Sequence, residues 1–337
     1  MNIKVNAFTF ARAETDLYFS RLVRKNGGLN NLHHDRTPTP IEQQVVVRMN
    51  RDTLYSSSVH DLAAGSVAVT LPNSTDNRFQ SLQVISQDHY SPFVIYEGGL
   101  ELTRQAVGTR YVALVFRTFV NPADADDLKA AHALQDGIRV EQASTGIFEV
   151  PQWDKKSQDA ARKALAELQT LGGTAEKRRM GRNAGDVDPI AHLLATATGW
   201  GLNPREAAIY YTGYPDQNDG TTVHQMLLRD MPVDGFWSIS VYNKEGFFEK
   251  NACDAYSLNN VTARESADGS IAIQFGGCEE GIQNCLPITE GWNYSLRLYR
   301  PRQEVLDGLW IAPEPAPVGQ QIDVESWNTR GMPCQSR

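Results

Sequence analysis

Several familiar chemistries have no signature in this sequence. There is no Gly-x-Gly-x-x-Gly after a strand and no Gly-x-x-x-x-Gly-Lys-Ser/Thr loop, which removes nucleotide cradles of those kinds. Gly-x-Ser-x-Gly does not occur, so the usual nucleophile elbow is missing. His-Glu-x-x-His is missing too, as is a strand-borne His-x-His, and neither a metal nor a cofactor is expected. No apolar run approaches the ~20 residues that cross a bilayer as a helix, so no transmembrane segment is expected. Basic residues are outnumbered 32 to 40 by acidic ones, a formal net charge of −8 that disfavours nucleic acid. The triplet Lys177-Arg178-Arg179 is short and reads as a solvated helix face. Internal repeats are absent.

Cysteines are few: Cys253, Cys278, Cys285 and Cys334. Cys278 and Cys285 flank a Gly-containing loop long enough to let their sulfurs meet, and a disulfide and two free thiols are both open. A second Cys/His pair at zinc-ligand spacing is lacking. Met1 to Asn6 has no apolar core of a secretory leader, so a cytoplasmic chain and a periplasmic or secreted mature form both remain as expectations.

What is present is an ordinary globular balance, 337 residues with 41% apolar and 21% charged, enough for two domains. Phe8, Arg12, Thr15 and Phe19 share a helix face near the N-terminus, and Gly27-Gly28 stops it. Val45 to Met49, Val67 to Leu71, Phe79 to Ile85 and Phe93 to Tyr96 read as strands between Gly, Pro, Asn and Asp clusters. Tyr111 to Val120 is apolar on both faces and is expected to be buried on both. Asn121-Pro122, Asp188-Pro189 and Asn203-Pro204 each place a capping side chain before a proline suited to the first helical turn. The second is expected to bury Ile190, Leu193, Leu194 and Ala197 and to close at Gly199. A further helix from about Ser157 to Leu171 repeats Ala161, Leu165 and Leu168 and ends at Gly172-Gly173. Strands return after Thr221, among them Phe236 to Tyr242, Ile271 to Phe275 and Trp292 to Tyr299, and the stretch from Pro313 to Pro317 reads as extended. The expectation is a mainly β chain: a β-sandwich domain over 1–150, a helical connector over 151–210 and a second sandwich or jelly roll over 211–337.

Candidate chemistry falls in three places. Asn50 to Ser56 follows an apolar strand. There Arg51 offers a forked carboxylate binder with Tyr55 on the same side, or an Arg–Asp network closing a strand end. In Gln87-Asp88-His89-Tyr90, His89 is a general base or ligand, or a hydrogen-bonded loop residue. His33-His34-Asp35 would need more ligands to hold a metal. Arg117 needs a buried partner such as Asp52 and reads as structural, while for Arg110 a ligand contact and a structural role are both open. The strongest pattern is two alternating strands. Trp237, Ile239 and Val241 oppose Phe236, Ser238, Ser240 and Tyr242, while Trp292, Tyr294, Leu296 and Leu298 oppose Asn293, Ser295, Arg297 and Tyr299. Paired, they give one dry face and one of hydroxyls, aromatics and an arginine, suited to a small polar ligand or to solvent. Ala255 to Asn260 could supply amides at its rim.

Met49 to Ser56, Val107 to Tyr111 and Leu134 to Asp136 resemble the bacterial DUF1254 family. Asp234 to Tyr242, Tyr256 to Asn260 and Gly291 to Pro301 resemble the DUF1214 domain that usually follows it. The likeness covers most of residues 30–310. It implies an immunoglobulin-like N-terminal sandwich, a small helical region, a C-terminal jelly roll and a bacterial origin among relatives that often carry export signals. It transfers no catalytic residue.

The leading expectation is a small-molecule enzyme, a hydrolase or lyase, acting by acid–base chemistry on an anionic or carbonyl-bearing substrate. In it Arg51, Tyr55, Arg110, Trp237, Ser240 and Arg297 bind, and His89, Tyr242 and Tyr299 move protons. The alternatives are a carbohydrate or small-molecule binding protein and a structural, envelope-associated oligomer. A homo-oligomer is expected from the prevalence of symmetric assemblies.

Overall fold

A computed structural model describes residues 2–44, 46–74, 76–172, 178–279 and 281–319. Val45 of the expected strand, Gly173 of the expected helix stop, Lys177 of the basic triplet and Cys334 lie outside the described residues. The fold is mainly β, with four sheets among the described residues. The chain divides into two compact units, Met1–Pro38 with Thr53–Ala207 and Thr39–Asp52 with Ala208–Arg337. No described helix is long and apolar enough to cross a membrane.

The first unit carries strands β1 (His33–His34), β2 (Thr53–Asp61), β3 (Val67–Thr70), β4 (Gln80–Ser86), β5 (Phe93–Ile95), β6 (Gly99–Leu102), β7 (Tyr111–Phe119) and β8 (Arg139–Glu141). Its helices are α1 (Phe10–Lys25), α2 (Arg104–Val107), α3 (Ala125–Asp136), α4 (Lys155–Gln169) and α5 (Pro189–Thr198). One sheet runs β1-β2-β7-β4-β5 and the other β6-β3-β8. Strand β7 is central. Val112, Leu114 and Phe116 on one face share a core with Val67, Val69 and Leu102, while Tyr111 and Ala113 on the other meet Phe19 of α1. That double burial explains why β7 is apolar on both faces.

Helix signals were partly realised. Asp188 caps α5 by accepting from the amides of Ile190 and Ala191, with Pro189 in the first turn, and the helix closes at Gly199. Leu194 is buried and Leu193 and Ala197 pack toward Val5, Phe10 and Ala13 as expected, while Ile190 is 65% exposed and Ala191 and Ala195 join the buried side. Asp154 caps α4, whose Ala161 and Leu165 pack toward Val5, Phe10 and Ala13, leaving Leu168 exposed. In α1 the buried side begins at Phe10, and Phe8 is 99% exposed. Asn121-Pro122 is a turn, since Asp124 accepts the amides of Asp126 and Asp127 and so starts α3 later. Asn203-Pro204 makes a single turn closed by the Ala207 amide on the Pro204 carbonyl at 2.9 Å, because the chain from Ala208 pairs with a strand instead.

The second unit carries β9 (Ala208–Gly213), β10 (His224–Leu228), β11 (Trp237–Tyr242), β12 (Ser257–Asn259), β13 (Ile271–Phe275), β14 (Cys285–Leu286), β15 (Asn293–Tyr299) and β16 (Ala316–Pro317), with α6 (Gln303–Leu306). Two sheets, β14-β13-β10-β16 and β12-β11-β15-β9, enclose one core. Trp237, Ile239, Val241, Trp292, Leu296 and Leu298 enter it from one sheet and Met226, Ile273, Phe275 and Leu286 from the other. Cys278 and Cys285 form a disulfide. Residues 46–50 are turn and irregular chain rather than strand, and Arg48 has a left-handed φ of 52°.

Replacing the cap of α5, Asp188→Ala, should cost about 1 kcal/mol in urea denaturation followed by helical circular dichroism, while Asp188→Asn stays near wild type. Equal stability of all three chains would show that the cap does not hold this helix.

Candidate functional site

The pairing of β11 with β15 and β12 gathers the polar halves of both alternating strands. Ser238 lies opposite Arg297 and Asn259, Ser240 opposite Ser295 and Ser257, and Tyr242 opposite Asn293. The expected alternative of a solvent-facing sheet is corrected, since Ser238, Ser240, Tyr242, Asn293, Ser295, Arg297 and Tyr299 are all buried. Part of the cover is the segment 48–52. Arg297 donates to Ser240 Oγ at 2.9 Å, to the carbonyls of Arg48 at 2.9 Å and Met49 at 3.4 Å, and to the Tyr242 hydroxyl. Tyr242 in turn donates to the Met49 carbonyl at 2.8 Å, and Asn50 donates to the Tyr299 hydroxyl at 3.0 Å. Burial works against the guanidinium charge, but Tyr242, Tyr299 and Asp52 outweigh it and raise the Arg297 pKa.

Asp52 enters this face from the same segment. Its Oδ1 accepts from Asn259 Nδ2 at 3.0 Å and from Ser257 Oγ at 3.3 Å. Its Oδ2 and the Ser238 hydroxyl oxygen are both buried with no hydrogen-bond partner of ordinary geometry among the described residues. Burial raises the Asp52 pKa, against the lowering influence of Asn259, Arg297, Ser238 and Ser257. A charged Arg297 draws Asp52 toward ionisation, so the two directions compete. Guanidinium does not deprotonate in proteins, so Arg297 carries its charge, and burial makes Asp52 hold its proton to a higher pH than an exposed aspartate does.

Arg48 joins the buried face to an open cleft. Its Nε donates to Asn293 Oδ1 at 3.1 Å, and its guanidinium bonds the Tyr214 hydroxyl while lying 5.5 Å over that ring. Tyr214, Asp216, Asn218, Asp219, Lys244 and Glu290 line the cleft, whose volume is about 530 Å³. Its walls close tightly. A Cβ on Gly220 would stand 2.5 Å from the Glu290 amide, and one on Gly291 2.8 Å from Lys244 Cβ, with φ at +80° and +76°. The Gly291 amide donates to the Asn218 carbonyl at 2.7 Å, tying one wall to the other. Asp219 accepts the Thr221 and Thr222 amides and the Thr222 hydroxyl, and these bonds hold its carboxyl well below the usual range. The cleft residues escaped the sequence-level reading. The available signal was the polar run Asp216-Gln217-Asn218-Asp219 directly after an alternating strand.

The remaining expected site residues are dispersed. Arg51 donates to the Thr39 carbonyl at 2.8 Å and lies 5.4 Å over the Tyr256 ring. Trp237 faces the dry core, on the side of its sheet opposite Arg297. Tyr55, His89 and Arg110 belong to the first unit. Tyr55 lies 5.5 Å under Arg117, which donates to Gln83 Oε1 at 2.8 Å and Asn203 Oδ1 at 3.3 Å. Arg110 grips the buried Asp61 with two bonds of 3.0 and 2.8 Å.

His89 is fully buried with φ of 63°, and its Nε2 accepts the Gly201 amide at 2.8 Å. That assigns the proton to Nδ1, which donates to Thr196 Oγ1 at 2.8 Å. Burial, aided by His192, holds its pKa well below the ordinary histidine value. Both nitrogens are spent inside the fold, which corrects the expectation of a general base. His34 is likewise committed, to Ser56 Oγ at 2.7 Å. Among the described residues no group of three or more His, Cys, Asp or Glu side chains could hold a metal ion.

A buried acid with a raised pKa binds more protons folded than unfolded, so its contribution to stability falls as pH rises from the unfolded value toward the folded one. Asp52→Asn should therefore be more stable than wild type at neutral pH. The gap should widen from about pH 4 upward by about 1.4 kcal/mol for every pH unit until Asp52 ionises. Parallel stability–pH curves for the two chains would refute a raised Asp52 pKa.

Comparison with known proteins adds fold and family. The VPA0106 protein of Vibrio parahaemolyticus matches with a TM-score of 0.71 at 17% identity, over 93% of this chain and 97% of its own. An uncharacterized protein of Burkholderia cenocepacia matches with a TM-score of 0.52 at 11% identity, over 90% of this chain and 86% of its own. None of the curated proteins compared matches the chain. Residues 29–96 match the model described as protein of unknown function (DUF1254), and residues 207–303 the one described as protein of unknown function (DUF1214). Asp52 comes from the first of these matched regions, and Ser238, Asn259 and Arg297 from the second. The chain belongs to the bacterial DUF1254/DUF1214 family, whose function is unknown.

Proposed function

We propose that this protein binds a small, neutral, hydroxyl-rich molecule of the carbohydrate class in the cleft of its second unit. The observation that carries the reading is the cleft lining, an exposed Tyr214 ring among carboxylates and amides in about 530 Å³. Small-ligand sites commonly span about 300–1,000 Å³. A saccharide offers C–H faces to an aromatic ring and hydroxyls to fixed acceptors, and Asp219 is such an acceptor. Three carboxylates, Asp216, Asp219 and Glu290, outnumber the Lys244 ammonium and the Arg48 guanidinium held at Tyr214. That balance repels anions and moves the reading from the anionic substrate expected of an enzyme to a neutral ligand. The rigid loop contacts at Gly220 and Gly291 favour binding by reducing the ordering cost.

A second reading, acid–base chemistry, draws on Asp52: a buried carboxyl whose pKa burial raises, beside the Ser238 hydroxyl and the charged Arg297. It predicts product formation that Asp52→Asn abolishes.

A glycan array followed by calorimetry on the best neutral saccharide tests the binding reading. Tyr214→Ala and Glu290→Gln should each weaken affinity at least about tenfold without loss of fold, since one tenfold step is only about 1.4 kcal/mol. No bound glycan, or affinity unchanged in both variants, would overturn it.

A further inference from the structure

The second unit holds three sulfurs in one neighbourhood. Cys278 and Cys285 are bonded, both half-buried, at the edge where β14 joins β13. Cys253 is exposed, and among the described residues it is the free thiol. Its Sγ lies 3.9 Å from the carbonyl oxygen of Cys278 itself, although 25 residues separate the two. A thiol held against a disulfide-bonded cysteine is the starting arrangement for exchange, which needs only a thiolate and access to one sulfur. Three glycines in the left-handed region shape the chain on the disulfide side. Gly276, Gly277 and Gly281 flank Cys278 with φ of +80°, +58° and +91°. β14 is held to β13 by backbone bonds, among them the Gly276 amide on the Leu286 carbonyl at 2.9 Å, which do not involve the Cys285 sulfur.

We propose that Cys253, Cys278 and Cys285 form an intramolecular thiol–disulfide exchange site. The Cys253 thiolate attacks Sγ of Cys278, the Cys253–Cys278 bond forms, the Cys278–Cys285 bond breaks, and Cys285 leaves as the thiolate. One disulfide and one thiol stand on each side, so no outside oxidant or reductant is consumed. The proton lost from Cys253 is matched by one taken up at Cys285. The attack falls on Cys278 because the carbonyl touching the thiol belongs to that residue. The exchange re-anchors the loop before β12 at Cys253, four residues ahead of Ser257, which bonds Asp52. The released Cys285 is a modification site that appears only in the exchanged form.

Peptide mapping of the full chain tests this. The protein is held without reductant at mildly alkaline pH, quenched in acid with N-ethylmaleimide, digested and analysed by mass spectrometry. Wild type should yield both Cys278–Cys285 and Cys253–Cys278 linked peptides, with alkylated Cys285 rising in step with the second. Cys253→Ser should retain only the first. Cys285→Ser, purified in air, should form the Cys253–Cys278 bond and protect Cys253 from alkylation. A wild-type map holding only Cys278–Cys285, or Cys253 bonded to Cys334, would overturn the proposal, and so would an alkylatable Cys253 in folded Cys285→Ser. Should that variant not fold, the wild-type map decides alone.

Discussion

A positive charge sealed inside the second unit sets the terms for the residues around it. Removing a guanidinium from water costs several kcal/mol unless its donors are met. Arg297 meets that cost with Ser240, Tyr242 and the backbone carbonyls of Arg48 and Met49. Two of the four acceptors are main chain, so the segment from Thr39 to Asp52 is fixed by a side chain nearly 250 residues later. The left-handed backbone at Arg48, φ 52°, costs about 1 kcal/mol or more for a residue with a Cβ. The bonds to Arg297 offset it. The same turn sends the Arg48 side chain to Asn293 and Tyr214, which connects the buried network to the cleft.

Buried polarity is met mostly by neutral neighbours in the first unit, where His89, Arg117 and Gln83 are matched to nearby groups and consumed by them. Both units also keep buried polar atoms with no partner of ordinary geometry among the described residues, Asn26 Oδ1, Asn30 Oδ1 and Gln80 Oε1 in the first and Asp52 Oδ2, Ser238 Oγ, His224 Nε2 and Trp292 Nε1 in the second. Such atoms are uncommon in native folds and call for a reason. Asp52 and Ser238 sit on the face supported by Arg297, and the accessible cleft lies one contact away through Arg48.

Much of this was legible in residue order. The period-two alternation of Trp237 to Tyr242 and of Trp292 to Tyr299 gave the dry and polar faces as they are, because strand geometry leaves no other choice. Asp188-Pro189 gave the start of α5, since cap and proline act locally. What failed depended on distant partners. Val46 and Val47 belong to a turn because Arg48 is pulled into the left-handed region by groups at 246, 293 and 297. Asn203-Pro204 lost its helix to pairing of β9 with β15. His89 stood open between a general base and a hydrogen-bonded loop residue, and Thr196 and Gly201, more than 100 residues on, take both nitrogens. The cleft arises from three separated loops whose glycines let them touch, a coincidence that no local period records.

The central claim is that the buried charge of Arg297 holds the segment 39–52 in place. Amide hydrogen exchange on Arg297→Met, an apolar replacement of similar length, tests it most directly. The account predicts that the amides of Arg48 and Asp52, bonded to the Gly246 carbonyl and Asn50 Oδ1, lose protection while those of β13 in the same core keep theirs. Unchanged protection at Arg48 and Asp52 would contradict it and leave the charge without the role assigned to it.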